Sequence, residues 1–408
     1  MSEVGAKTGK PIPLDDTAES PKRYRWVMLG LIWLAYCMFG ITVRSLSPLI
    51  TPIMADLGIT NSQIGIVLGS WQLVYIAIAL VGGALIDKWG IRKSLLLGII
   101  AIGLSLILRY FISSYAVLLI CVAMFGLGGP MVSIGSPKTI SEWFTGKDRS
   151  RAVSIYTTGN AVGGLISFST INSIIMPLAG YSWRLTFLYL SLPVFATAIL
   201  WWFLARDFKT GKSASGPSIL RVFGNLIRIR KVQIVLVIVF LYFIIGHGFT
   251  NWLPNFLETG GLSPAVAGFA ASIPLIVMIP SVLVIPMVTP ARWRKYLLAV
   301  TALCMSLLLF FMPSLTGSGL ITALVFWGIL TGYGLPLLVL ILMDIDEVGP
   351  QYMGSAGGLL FCVGEAGGFI GPSLVGMFKD ISGDFTIATG FLGILAIIIL
   401  IVALFLKK

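Results

Sequence analysis

Phe391-Leu-Gly-Ile-Leu-Ala-Ile-Ile-Ile-Leu-Ile-Val-Ala-Leu-Phe-Leu406 carries no charged or amide side chain, and Leu29 to Phe39 reads the same way. A transmembrane barrel strand would alternate apolar and polar residues, and these stretches do not. With their flanks they reach the roughly 20 residues that a helix needs to cross about 30 Å of hydrocarbon. Working outward from these runs, the whole chain is 57% hydrophobic and only 11% charged. Soluble domains carry about 25% charged residues to cover their surface. The 408 residues are therefore neither three soluble domains nor a disordered chain. They predict an all-α integral membrane protein.

Twelve spans are expected near 26–53, 63–86, 94–113, 116–141, 150–175, 184–204, 232–256, 264–288, 295–313, 319–342, 352–377 and 385–406. Turn-forming residues break them, as in Gly58-Ile59-Thr60-Asn61 and Ser382-Gly383-Asp384. The net charge of +12 is compatible with a nucleic-acid partner, but its distribution points to the lipid bilayer. The N-terminal tail, the loops near 87–93, 145–151, 206–231, 290–295 and 344–351, and the C-terminus hold 23 of the 28 Lys and Arg. The opposite set holds three: Arg109, Arg184 and Lys379. Cytosolic segments of membrane proteins are enriched in Lys and Arg, so both termini are expected in the cytosol of a cell-membrane protein. The cytosolic tail is 1–25, of which 1–22 reads as polar and disordered. Residues 26–205 and 232–408 form two six-helix halves joined by a basic cytosolic linker, 206–231. The four cysteines, Cys37, Cys121, Cys304 and Cys362, lie in apolar stretches without ligand spacing. A single His excludes a His-rich metal site, and no cleavable signal peptide is visible.

The halves carry a repeat. Tyr36, Gly40 and Pro48 recur as Tyr242, Gly246 and Pro254 at one offset of 206. Gly159-Asn-Ala-Val-Gly-Gly164 in the fifth span matches Gly364-Glu-Ala-Gly-Gly368 in the eleventh, one residue shorter. Two repeat-related halves with a site between them at mid-membrane are the architecture of alternating-access transporters.

Between spans 2 and 3 lies Gly83-Ala-Leu-Ile-Asp87-Lys88-Trp-Gly90-Ile-Arg92-Lys93. It resembles the signature loop of the major facilitator superfamily, G-x-x-x-D-R/K-x-G-x-R-R/K, and the resemblance extends over the chain from about residue 25. It implies the major facilitator fold and a cytosolic gate at Gly83, Asp87, Lys88 and Arg92. Asp87 would accept from the start of a helix in the other half, where the helix dipole is positive. A narrower stretch runs from Arg44 through Pro52 and Leu57-Gly58 to Gln63-Ile-Gly65. It is similar to the first helix and loop of the anion:cation symporter family. Glu142-Trp143-Phe144 with Arg149 and Arg151 looks like the end of helix 4 in those porters and in cyanate and nitrate porters. The symporters usually carry an Asp before the Arg; here Val43 stands there.

A charge at the bilayer centre costs about 2.5–3.5 kcal/mol on insertion scales, so each intramembrane polar residue carries a functional and a structural reading. Arg44 suits bidentate capture of a carboxylate or other oxyanion. Alternatively it pairs with Glu365 or snorkels to the outer face. Its repeat partner is Thr250, and a single Arg favours a monoanion. Glu365 is the one acid near a helix centre, flanked by Gly364, Gly367 and Gly368. It can load and release a coupling proton, or sit in a fixed salt bridge to Lys138 or Arg44. His247, Thr250 and Asn251 share a helix face by i, i+3, i+4 spacing. His247 is then a substrate ligand, a proton relay or a packing residue. Lys138 either snorkels or adds charge to the cleft. Tyr36, Gln72, Tyr75, Asn160 and Tyr242 are candidate cavity-lining groups.

No Walker lysine loop occurs, so nucleotide-driven pumping has no support, and no metal cluster, cofactor or enzymatic site is expected. The expected function is proton-coupled uptake of a small organic monoanion by a monomeric secondary transporter. Monocarboxylates, cyanate, nitrate and sugar acids all suit one Arg. The alternative is proton-driven export of drugs or metabolites. Such exporters usually carry Gly-x-x-x-Gly-Pro in helix 5, and no Pro follows Gly164 here.

Overall fold

Each apolar run closes into a helix because backbone amides in hydrocarbon must be satisfied within the segment. The computed structural model describes residues 23–207 and 219–406. The tail up to residue 22 and linker residues 208–218 lie outside the described residues. Among the described residues twelve helices are long and apolar enough to cross a membrane. They are α1 (Tyr24–Leu57), α2 (Asn61–Trp89), α3 (Ile91–Phe111), α4 (Tyr115–Trp143), α5 (Gly146–Leu178) and α6 (Trp183–Leu204). After the linker come α7 (Arg230–Thr259), α8 (Pro264–Val288), α9 (Ala291–Ser314), α10 (Gly317–Met343), α11 (Tyr352–Ser382) and α12 (Thr386–Leu404).

The expected spans correspond one to one, with most ends displaced by a few residues. The first runs on to Leu57 because Pro48, which has no amide to donate, is taken up in a short 3₁₀ turn at Ser47–Leu49. The chain then resumes as Ile50–Leu57 and ends at Gly58 in the left-handed region (φ +61°). Thr60 restarts it with a capping box: its hydroxyl accepts from Gln63 N at 3.2 Å, and Gln63 Oε1 accepts from Thr60 N at 2.9 Å. Large apolar side chains such as Leu192, Phe203, Phe311 and Ile401 are exposed. A water-soluble monomer does not carry such a belt, and a bilayer covers it. The molecule is a multi-pass membrane protein.

An even number of spans puts both described ends at one face, here the terminal face. At the opposite face the two halves touch backbone to backbone. A Cβ on Gly65 or Gly69 of α2 would stand 2.5 Å from the carbonyl oxygen of Pro372 or Phe369 on α11. On the second seam, a Cβ on Gly268 of α8 would stand 2.2 Å from the Phe168 carbonyl of α5. Only glycine permits this approach, and among the described residues no such seam closes the terminal half. Gly69→Val should therefore disfavour the conformation seen here. Overpacking costs about 1–3 kcal/mol, a roughly 5–150-fold change in a two-state ratio. Reactivity of a cysteine placed on the α2–α11 seam should rise accordingly; unchanged reactivity would mean that the seam yields elsewhere.

Candidate functional site

A cavity of about 510 Å³ runs from mid-membrane toward the terminal face. Both halves line it: Tyr36, Tyr75, Ser133 and Asn160 from the first, Cys362 and Glu365 from the second. A larger cleft of about 580 Å³, lined by Lys231, Arg292, Arg294 and Asp344, lies wholly within the second half. Arg294 and Asp344 pair there at 2.6 Å. That cleft is not at the seam between halves, so the first cavity is the candidate site.

Polar groups from four helices converge around Glu365, which lines this cavity. Arg44 Nη1 on α1 donates to Asn251 Oδ1 on α7 at 3.3 Å, across the two halves. Glu365 on α11 and His247 on α7 both lie within electrostatic range of Arg44. Among the described residues Arg44 and Glu365 form no salt bridge, so neither charge is locked by a fixed partner. Gln72 Nε2 on α2 donates to His247 Nδ1 at 3.2 Å. A neutral His247 then carries its proton on Nε2. Phe243, one turn earlier on α7, stacks on the His247 ring at 5.4 Å. Gly368 holds the centre: a Cβ there would meet Gln72 Nε2 at 3.1 Å, Glu365 Oε2 at 3.3 Å and His247 Cδ2 at 3.4 Å. Two acceptors are left over, since Gln72 Oε1 and Glu365 Oε2 are buried without a hydrogen-bond partner. A bare carboxylate oxygen at this depth is costly, and a proton or a ligand donor would relieve it.

The structure gathers Arg44, Gln72, His247, Asn251 and Glu365 at one place and sets Tyr36, Tyr75 and Asn160 on the cavity wall below. Tyr75 OH is engaged with Ser133 Oγ at 2.7 Å. Thr250 is half-buried beside Asn251. Two other residues fall elsewhere. Tyr242 does not share the cavity of its repeat partner Tyr36: it is buried against Gly334 of α10, and its hydroxyl donates to the Thr331 carbonyl at 2.6 Å. Lys138 is not in the cleft, because its ammonium reaches Asp87 near the terminal ends of α4 and α2. Asp87 thus pairs within its own half, not with a helix of the other half. Arg92 likewise stays in the first half, donating to the Trp202 carbonyl at 2.6 Å while its amide meets Asp207 Oδ1 at 2.9 Å. Gly83 is half-buried and Lys88 is exposed. Arg109, counted among loop charges in the sequence, is buried at the α3 end on Ser45 and Ser105.

The opposite face is closed by a polar cluster that the sequence reading did not single out. Thr51 Oγ1 donates to Glu258 Oε2 at 2.7 Å and accepts from Asn255 Nδ2 at 3.0 Å. Lys379 Nζ donates to Asn255 Oδ1 at 2.5 Å. Asp380 takes four hydrogen bonds from Asn61 and Ser62. The i, i+4 spacing of Phe243 and His247 was a legible signal; the contacts across halves had none.

Twelve spans in two sixes, open at one face onto a polar core and sealed at the other, define a transporter and not an enzyme. The Major Facilitator Superfamily pattern matches residues 32–372, and the chain belongs to that superfamily. It is 24% identical over 358 residues to a hexuronate transporter of Bacillus subtilis (strain 168), covering 82% of this chain and 83% of the relative. A probable chloroplastic anion transporter of Arabidopsis thaliana is 30% identical over 160 residues, 38% of this chain and 31% of that one. The fold is similar to that of a bacterial homolog of the human lysosomal transporter Spinster, crystallised inward-facing and occupied. The TM-score is 0.72 at 16% identity, over 93% of this chain and 96% of the other.

Proposed function

We propose that this transporter takes up a small organic monoanion by proton symport, with Arg44 as the anion-binding group and Glu365 as the proton site. The observation that carries the reading is an intramembrane guanidinium at the meeting of the two halves, bonded to Asn251 of the other half, within electrostatic range of the cavity-lining Glu365, and without a carboxylate salt bridge among the described residues. Such a fork has donors free for a bidentate anion. The relatives named for hexuronate and anion transport support a negatively charged substrate. The unpartnered Oε2 of the cavity-lining Glu365 supports a proton there. Anions should raise the melting temperature of the purified protein, since a ligand that binds only the folded state stabilises it. The shift should vanish in Arg44→Ala; a shift that persists would remove Arg44 from the site.

We assign the basic terminal face to the cytosol, which makes the conformation seen here inward-open, and take the transporter to be a monomer. A cysteine at position 215 should be labelled from the cytosolic side only. Labelling by an impermeant reagent added outside intact cells would reverse the orientation, and with it the direction of opening.

A further inference from the structure

Below the polar cluster the cavity changes character. Its walls are Phe39, Ile76, Leu80, Ile134, Phe223 and Phe361. Tyr75 and Ser133 bond each other at 2.7 Å, and Ser133 also reaches the Pro130 carbonyl at 3.4 Å, which leaves the Tyr36 hydroxyl and the Asn160 amide as the polar side-chain groups of this wall. Tyr36 presents an aromatic surface, stacked on Phe39 at 5.9 Å and edge-on to Tyr156 at 5.1 Å. A ligand whose anionic group sits between Arg44 and Glu365 must place the rest of its body against this wall. A polyhydroxylated body would bury more hydroxyls than the Tyr36 hydroxyl and the Asn160 amide can serve, which is unfavourable. An aliphatic or aromatic body would instead be removed from water and gain contact with rings that prefer edge-on and stacked neighbours.

We infer that the substrate is an amphipathic monocarboxylate, a single charged head on an apolar or aromatic body, and not a sugar acid. This rests on the anion reading above and departs from the hexuronate in the name of the Bacillus relative. The test is calorimetric binding to the full chain in nanodiscs, with phenylacetate and 4-phenylbutyrate against galacturonate and gluconate, and phenylacetamide as the neutral control. The aromatic carboxylates should bind at least about tenfold tighter than the sugar acids, and Phe361→Asn should erase most of that preference. Sugar acids binding equally or more tightly, with the affinity still lost in Arg44→Ala, would overturn the amphipathic body and leave the anion reading standing. Phenylacetamide binding as tightly as phenylacetate, indifferent to Arg44→Ala, would overturn the anion reading itself. Absence of saturable binding by any of the carboxylates would overturn both.

A separate observation concerns the sealed face. The first amides of a helix have no partner within it. In α2 the Asn61 and Ser62 amides are satisfied by Asp380, near the end of α11 in the other half, at 2.9 and 2.7 Å. Asn61 Nδ2 and Ser62 Oγ donate to the same carboxylate at 2.7 and 2.5 Å. A carboxylate at a helix N-terminus is also favoured by the helix dipole. The geometry points to Asp380 as the latch that holds the opposite face shut. Opening that face must break all four bonds, whereas Asp87, at the other end of α2, is in this state engaged only within its own half. Spin labels at Tyr181 and Ser318, exposed in the two halves at this face, would report the opening as a longer distance. Asp380→Ala should increase the long-distance population several-fold. Ser62→Pro should do the same from the other side, because proline fits the first helical turn while deleting both Ser62 donors. Distance distributions unchanged in both variants would overturn the latch; a change in both, with melting temperatures near wild type, establishes it.

Discussion

In Glu365→Gln, substrate counterflow should persist while accumulation driven by a pH gradient is lost. Glu365 is the buried acid at the meeting point of Arg44, Gln72, His247 and the cavity, and its Oε2 has no partner. The anion's negative charge and a proton on Glu365 compensate one another beside Arg44, so the two bind cooperatively. Linkage makes the effect reciprocal, and couplings of this kind are typically about 1–3 kcal/mol, or 5–150-fold in affinity. The sign follows directly: wild-type substrate affinity should fall as pH rises and the acid becomes an anion facing an anion. The Gln variant, a permanent mimic of the protonated acid, should bind substrate with a flat pH profile. Proteoliposomes loaded for counterflow, and then energised by an inside-alkaline pH gradient, separate the two behaviours. A Gln variant that accumulates substrate as well as wild type would move the proton site elsewhere, and His247, hydrogen-bonded to Gln72 at 3.2 Å, would be the next residue to change.

Arg44→Lys should fold normally and lose most of its substrate affinity. A guanidinium offers a planar fork to a carboxylate, whereas an ammonium is a point donor on a flexible stem. Forfeiting one charge-assisted hydrogen bond costs about 1.5–3 kcal/mol, or roughly 10–150-fold in Kd. The Asn251 contact at 3.3 Å is long for a structural bond, so its loss should leave the melting temperature of the ligand-free protein nearly unchanged. Transport at wild-type rates in the Lys variant would exclude Arg44 as the anion clamp. A large drop in ligand-free stability would instead assign Arg44 a structural role.

The sequence by itself determined what depends on local chemistry. Apolar runs without alternation fix twelve helices, because hydrocarbon leaves the backbone no other partner. The loop from Gly83 to Lys93 fixes the superfamily, and the rarity of intramembrane charge singles out Arg44 and Glu365. What it could not determine is which of those helices face one another. An offset of 206 residues made Tyr36 and Tyr242 equivalent in the chain, yet the first lines the cavity and the second is buried against α10. In the sequence Lys138 either snorkels or adds charge to the cleft, and only the packing of α2 shows that it meets Asp87. The Asp380 contact joins residues more than 300 positions apart, and its existence depends on which face of the bundle is closed. Side-chain partners across two halves are set by interhelical packing and by conformational state. No local pattern of residues encodes either, so only the tertiary structure decided them.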